Sequence, residues 1–270
     1  MFKARLEGLR SFITGGSRGI GRAVAETFAR EGALVGINHP GDAEGVTETL
    51  AALAAIDKEA GRPARPHLDL QADVAHEGQV KAMFAKALTA WGRLDVLVCN
   101  AGIQAVTDGH DFDLATFERI MAVNLTGTAV CAREAVAHFL SRPGGGSVLV
   151  TSSVHQIVPK PAYMAYAASK GALAQLVRSL ALEYADRGIR VNAVAPGAVT
   201  TDLNAAWIHD PQARAAVESH IPMGFAAEAQ QIAPIYTFLA SDAALYITGQ
   251  TIYACGGITL YGDFKQNWAS

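Results

Sequence analysis

The segment T-G-G-S-R-G-I-G, Thr14 to Gly21, constrains this chain more than any other stretch. Before it, Leu9 to Thr14 reads as a short apolar strand, and after it Arg22 to Arg30 is amphipathic with helical spacing. A strand that enters a glycine turn and leaves as a helix opens a parallel, helix-covered sheet. Gly15 can take positive φ for the tight turn, Gly19 lets backbone approach a pyrophosphate, and Gly21 removes a Cβ where helix meets sheet. The free N–H groups and positive dipole end of the helix then face phosphate. The whole turn, with Ser17, Arg18 and Ile20, is a dinucleotide-binding candidate, because strand and helix flank it as the motif requires.

The alternation continues along the chain. Further strands are expected over Leu34 to Asn38, Leu94 to Cys99, Ser147 to Ser152, Ile189 to Ala195 and Gln250 to Ala254. Helices are expected over Gly45 to Ala60, Glu77 to Trp91, Ala115 to Leu140, Tyr163 to Ala185 and Ala229 to Ser241. No linker or repeat interrupts the pattern, so residues 1–270 read as one α/β domain. The architecture expected is a single Rossmann-type doubly wound parallel sheet with helices on both faces. A net charge of −3 argues against nucleic acid or an anionic membrane as partner. The first ten residues lack the apolar core of a signal peptide, and no segment reaches membrane-spanning length. Cys99, Cys131 and Cys255 are odd in number and lack metal spacing, which points to reduced, buried thiols in a cytoplasmic protein without a metal site.

The chemistry concentrates in Y-A-A-S-K, where Tyr166 precedes Lys170 by four residues. On a helix, four residues rise about 6 Å and return to one face, so phenol and ammonium become neighbours. A nearby cation favours phenolate and draws a tyrosine below its free pKa of about 10, which makes Tyr166 a candidate acid/base. Ser153, on another segment, can hydrogen-bond the carbonyl or alcohol oxygen whose proton Tyr166 handles.

Taken in order, the glycine turn, C-N-A-G at Cys99 to Gly102, Asn124 in N-L-T-G, Ser153, Y-A-A-S-K and the Pro196-Gly197 pair resemble the short-chain dehydrogenase/reductase family over almost the whole chain. Cys99 departs from the family's usual Asn, while Asn100, Ala101 and Gly102 remain to line the cofactor side. The resemblance implies that Tyr166 is the general acid/base, with Lys170 lowering its pKa and holding the nicotinamide ribose hydroxyls. Ser153 would orient the reacting C–O group, and Asn124 would position a water in a proton relay. Asp73 and Val74 resemble the adenine-contacting pair, although Asp73 can equally cap the following helix. Pro196, Gly197, Val199 and Thr201 resemble the loop that closes over the nicotinamide. The resemblance also implies a homotetramer, and Ala122, Gly127, Ala129, Ala174 and Ala181 give two long helices small-residue faces able to pack across a two-fold axis or on the sheet.

Two loops narrow the substrate. Ser152 to Pro159 and Asp210 to Phe225 are similar to bacterial glucose 1-dehydrogenases, which places Gln104 and His155 near a sugar. Those enzymes generally carry Glu where this chain has Gln104. An aldose 1-dehydrogenase giving the lactone is expected; a 3-oxoacyl-thioester or ketone reductase is the alternative, and a non-catalytic nucleotide-binding protein ranks last because the tetrad of Asn124, Ser153, Tyr166 and Lys170 is complete. After the second strand, Asn38, His39 and Pro40 supply no carboxylate for ribose hydroxyls, and Arg18 can pair with a 2′-phosphate. The balance leans slightly to NADP over NAD, with dual use expected. The polar, aromatic tail from Tyr261 to Trp268 is read as a cover for the active site or a neighbouring subunit, or equally as a frayed end.

Overall fold

The computed structural model describes residues 5–260; the tail from Tyr261 to Trp268 lies outside them. Seven strands form one parallel sheet in the order β3-β2-β1-β4-β5-β6-β7. They are β1 (Arg10–Ile13), β2 (Leu34–His39), β3 (Leu68–Gln71), β4 (Val96–Cys99), β5 (Gly146–Thr151), β6 (Ile189–Pro196) and β7 (Thr251–Ala254). The helices between them are α1 (Gly19–Arg30), α2 (Ala43–Glu59), α3 (Glu77–Trp91), α4 (Leu114–Met121), α5 (Thr128–Leu140), α6 (Met164–Tyr184), α7 (Ala205–Ile208), α8 (Pro211–Ser219) and α9 (Ala229–Ala240).

The strands alternate side chains between two apolar layers, as a sheet covered on both faces requires. Phe12, Leu97, Val148 and Val150 pack with Phe84 of α3, Cys131 and Phe139 of α5, and Leu173 and Val177 of α6. Ile13, Val96, Val98 and Leu149 turn the other way, onto Val24 and Phe28 of α1, Leu53 of α2 and Tyr236 of α9. Chain order runs outward from β1 to β3 and then returns to β4 on the other side of β1. That reversal opens a crevice above the carboxyl ends of β1 and β4, the usual ligand position in such sheets.

Two local outcomes differ from the sequence expectation, and one open alternative can be followed residue by residue. The helix read as continuous from Ala115 to Leu140 is broken by a widened π segment, Ala122–Gly127. Asn124 inside it is fixed to the backbone of Ile103 by two hydrogen bonds, and Gly127 lies against Val74 so closely that a Cβ would stand 2.8 Å from Val74 Cγ2. These contacts fix the segment's place against the chain after β4, and the helical ladder widens to meet it. The stretch from Asp210, read as a loop, folds into α8, because Asp210 accepts from Gln212 and Ala213 N–H and Pro211 takes the first helical position. Of the small residues that suit packing across a two-fold axis or on the sheet, Gly127, Ala174 and Ala181 are buried within this chain, whereas Ala129 lines an open groove between α5 and α6.

Candidate active site

A cleft of about 940 Å³ runs from the glycine turn to Tyr166 and on to α7 and α8. Gly15 and Gly19 hold φ of +62° and +54°, so both glycines supply backbone turns that other residues resist. Gly21 has the packing role expected of it: a Cβ there would overlap the Gly15 carbonyl oxygen. Asn100 braces the turn, donating its side-chain amide to the carbonyls of Thr14 (3.1 Å) and Gly15 (2.9 Å). The N-terminus of α1 carries no side-chain cap and no acidic residue in its first turn, whereas Asp42, Asp113 and Asp210 cap α2, α4 and α8. Uncapped N–H groups facing a long cleft fit the diphosphate of a dinucleotide.

Asp73, Val74 and Arg119 also line the cleft. Asp73 accepts from the Ala75 N–H (3.0 Å) and from Arg119 (2.8 Å). Its carboxylate sits below its usual range, where those partners outweigh partial burial. It therefore closes a turn ahead of α3 and does not cap the helix itself, whose first residue follows His76. Asn38 lines the cleft but gives both amide hydrogens to the Leu70 and Ala72 carbonyls, while its oxygen faces Gly15 N–H at 3.4 Å. His39, expected beside the cofactor, is buried against Asp69 of β3 at 2.9 Å and is absent from the cleft wall. Strand alternation explains this, since Asn38 and His39 must point to opposite faces. Arg18 does reach the cleft, where it pairs with Asp42 (3.3 Å) and Asp202 (3.7 Å). Asp42 also accepts from the Ser17 hydroxyl at 2.7 Å. This carboxylate escaped the sequence reading because it lies three residues past the strand end.

Tyr166 and Lys170 share one face of α6, as their spacing predicts, and both are buried. Lys170 Nζ lies 5.5 Å from the Tyr166 ring centre and donates to the Thr151 carbonyl at 2.9 Å. Burial alone draws the ammonium down to about 8. Burial also raises the Tyr166 phenol above its ordinary value, with the Ser153 hydroxyl acting in the opposite direction. The lowering expected from Lys170 is not seen here: desolvation of the phenol sets the direction, and Ser153 alone opposes it. Ser153 stands at the end of β5 in extended backbone and accepts from the His155 N–H at 3.1 Å. Asn124 is fully buried and gives its amide hydrogens to Ile103 O (2.9 Å) and Ser169 Oγ (3.1 Å). Gly102 fits beneath it, 3.4 Å from Asn124 Oδ1 and 3.6 Å from Lys170 Nζ at its missing Cβ.

Pro196, Gly197, Val199 and Thr201 line the same cleft as Tyr166. A Cβ on Gly197 would stand 2.9 Å from Cys255 Cα, so the chain after β6 passes close to the end of β7. Cys99 and Cys131 are buried thiols whose pKa burial pushes up, Cys131 to about 12, and the three cysteines are unpaired.

Beside Tyr166, His155 engages the Val158 carbonyl through Nδ1 at 2.9 Å, and its ring meets Tyr166 edge-on with centres 6.2 Å apart. Burial lowers its pKa, so the ring is neutral and Nε2 is left as an acceptor. Gln104 donates to the Leu203 carbonyl (2.8 Å) and accepts from Lys160 (3.3 Å). Lys160, Tyr163, Trp207 and His220 line the cleft without having been singled out in the sequence. Lys160 lies one residue beyond the recognised loop that ends at Pro159, and α7 and α8 are brought to the cleft by tertiary packing.

Residues 15–259 match a protein-family model described as enoyl-(acyl carrier protein) reductase. A glucose 1-dehydrogenase from Gluconobacter oxydans is 48% identical, with 100% of this chain and 98% of the relative aligned. A 3β-hydroxysteroid dehydrogenase from Eggerthella lenta is 44% identical over 96% of this chain and 97% of its own. Among solved structures, levodione reductase superposes with a TM-score of 0.88 at 32% identity, covering 96% of this chain and 100% of that one. A Beutenbergia cavernae protein assigned as an NAD(P)-dependent gluconate 5-dehydrogenase, with NADP bound at low occupancy, gives a TM-score of 0.86 at 34% identity over 97% and 100% of the two chains.

Proposed function

The chain belongs to the short-chain dehydrogenase/reductase family, and on that premise we propose that it oxidises an aldose at C1 to the lactone. Membership makes it an enzyme that moves a hydride between NAD(P) and a CH–OH carbon. The finer reading rests on one observation, the 48% identity to a glucose 1-dehydrogenase along the whole chain.

When bound, the nicotinamide supplies the hydride acceptor or donor. The chain's own residues handle binding and protons. In oxidation Tyr166 gives up its own proton and, as phenolate, takes that of the substrate hydroxyl; in reduction the phenol returns a proton to the substrate oxygen. Ser153 hydrogen-bonds the same oxygen and holds it against the phenol. Lys170 sits beside both, available to the ribose hydroxyls. Asn124, its amide hydrogens engaged, contributes to proton relay by fixing Ile103 and Ser169 around Lys170. His155 accepts from a sugar hydroxyl, and Gln104 lines the same end. The dinucleotide lies along Gly15 to Gly21, Asp73, Val74 and Asn100 to Gly102, with Pro196 to Thr201 over the nicotinamide.

Both cofactors are accepted in this reading, with a slight lean to NADP because Arg18 supplies charge for the 2′-phosphate. Asp42 limits that lean by holding Arg18 and Ser17. The single sheet supports one domain for the whole chain. We place the enzyme in the cytoplasm as a homotetramer, with the groove lined by Ala129, Val136, Leu140, Leu176 and Leu180 as one face for a second copy. No described helix is long and apolar enough to cross a membrane. A second reading, reduction of a ketone with an apolar body, draws on the walls formed by Leu203, Trp207, Val217, Ile221 and Ile258.

The test is the initial rate on a panel of aldoses with NAD and with NADP, and on cyclic ketones with the reduced cofactors. Rapid oxidation of D-glucose or an epimer supports the first reading. Silence on all aldoses with turnover of ketones replaces it by the second.

A further inference from the structure

Lys160 is the feature of the cleft that the chemistry above leaves unused. It is half-buried, follows the loop after β5, and lines the substrate end together with Gln104, His155 and Tyr163. Its ammonium stands 3.6 Å from the Tyr163 ring centre, 6.0 Å from the Tyr166 ring centre and 3.3 Å from Gln104 Oε1. All of these neighbours are neutral. The carboxylates in the cleft wall are Asp73, bound to Arg119 at the adenine end, and Asp202, paired with Arg18. Among the described residues Lys160 forms no ion pair.

The neighbours hold the ammonium in place and leave its charge uncompensated. Gln104 is fixed by the Leu203 carbonyl at 2.8 Å, so its own oxygen stays turned to Lys160. The Tyr163 ring face holds the cation from another side. Partial burial lowers the Lys160 pKa, and no anionic partner opposes that shift. His155 is neutral and adds an acceptor only. A half-buried cation fixed by neutral groups near the reacting tyrosine matches a ligand that brings the negative charge itself.

We propose that Lys160 reads a carboxylate on the substrate, and that the preferred substrate is an acidic sugar whose carboxylate lies within about one ring's length of the reacting carbon. This deepens the aldose reading and rests on it: C1 is oxidised at Tyr166 while the acid group at the far end of the ring meets Lys160. The chemical class is a uronic acid, with a neutral aldose as the weaker substrate.

The experiment titrates D-glucuronate and D-glucose into the NADPH-loaded enzyme, a dead-end complex, and follows nicotinamide fluorescence. Wild type, Lys160→Gln and Lys160→Arg are compared, and kcat/KM for both sugars is measured with NADP. Wild type binds glucuronate at least tenfold more tightly than glucose. In Lys160→Gln that ratio falls by about ten- to a hundredfold, the scale of one charge-assisted hydrogen bond. Lys160→Arg keeps most of it, which also shows that the loop still folds. Equal or weaker binding of glucuronate by wild type, or an unchanged ratio in Lys160→Gln, overturns the proposal. Failure of the aldose reading looks different: the binding ratio survives, and neither sugar is oxidised.

Discussion

Replacing Lys170 with Met should make the cofactor-free protein more stable while abolishing its activity. The side chain is 3% exposed, and its ammonium has one carbonyl partner, Thr151 O, and no carboxylate. Burial lowers its pKa from 10.5 to about 8. At about 1.4 kcal/mol per pKa unit, that fall means the buried charge costs the fold about 3 kcal/mol near neutral pH. Met fills a similar volume without the charge but leaves the Thr151 carbonyl without its donor, which costs about 1–2 kcal/mol. The net expectation is a gain of about 1–2 kcal/mol at pH 7. The pH dependence carries the sharper test. Between about 8 and 10.5 the unfolded lysine binds the proton that the folded one has released, so wild-type stability rises with pH across that window. The advantage of the variant should therefore shrink as pH climbs from 7 to 10. Urea denaturation of both proteins without cofactor, at several pH values, reads this directly. A variant less stable than wild type at pH 7, or a difference that does not change with pH, would refute the argument that this lysine is held at a cost for function.

Two further outcomes follow from the glycine turn. Gly21→Ala should weaken cofactor binding at least tenfold and lower the melting temperature, because its Cβ overlaps the Gly15 carbonyl and meets Asn100 Nδ2 at 2.6 Å; equilibrium binding and thermal unfolding check it. Asp42→Asn keeps an N-cap on α2 yet frees Arg18 and Ser17, so the ratio of kcat/KM for NADP over NAD should rise about three- to tenfold, the effect of removing one partly exposed carboxylate beside a phosphate site.

Much of this architecture was legible because its signals are local. The apolar strands, the glycine turn and the Tyr166–Lys170 spacing each fix their own geometry within a few residues, and the structure brings Ser153 to them from the end of β5. What escaped is tertiary. His39 was expected at the cofactor because it stands at the strand end, but pleating turns it onto Asp69. Asp42 reaches Arg18 only after the chain curls into α2. The π segment around Asn124 depends on contacts to Ile103, Val74 and Ser169, and propensity alone reads through it as one helix. Lys160 is set apart by Gln104, 56 residues earlier, together with Tyr163 and Tyr166 at the start of α6. The phenol pKa makes the same point: spacing gives Lys170 as neighbour, and burial decides the direction.

The most direct test of the account is Tyr166→Phe, assayed for oxidation of D-glucose and D-glucuronate and titrated with NADPH. The ring stays in its pocket and only the hydroxyl is lost, so cofactor affinity and melting temperature should hold while turnover falls at least about a hundredfold, the low end of general acid/base catalysis. Turnover within a few fold of wild type, with fold and cofactor binding intact, would contradict the assignment of Tyr166 as the group that moves the proton.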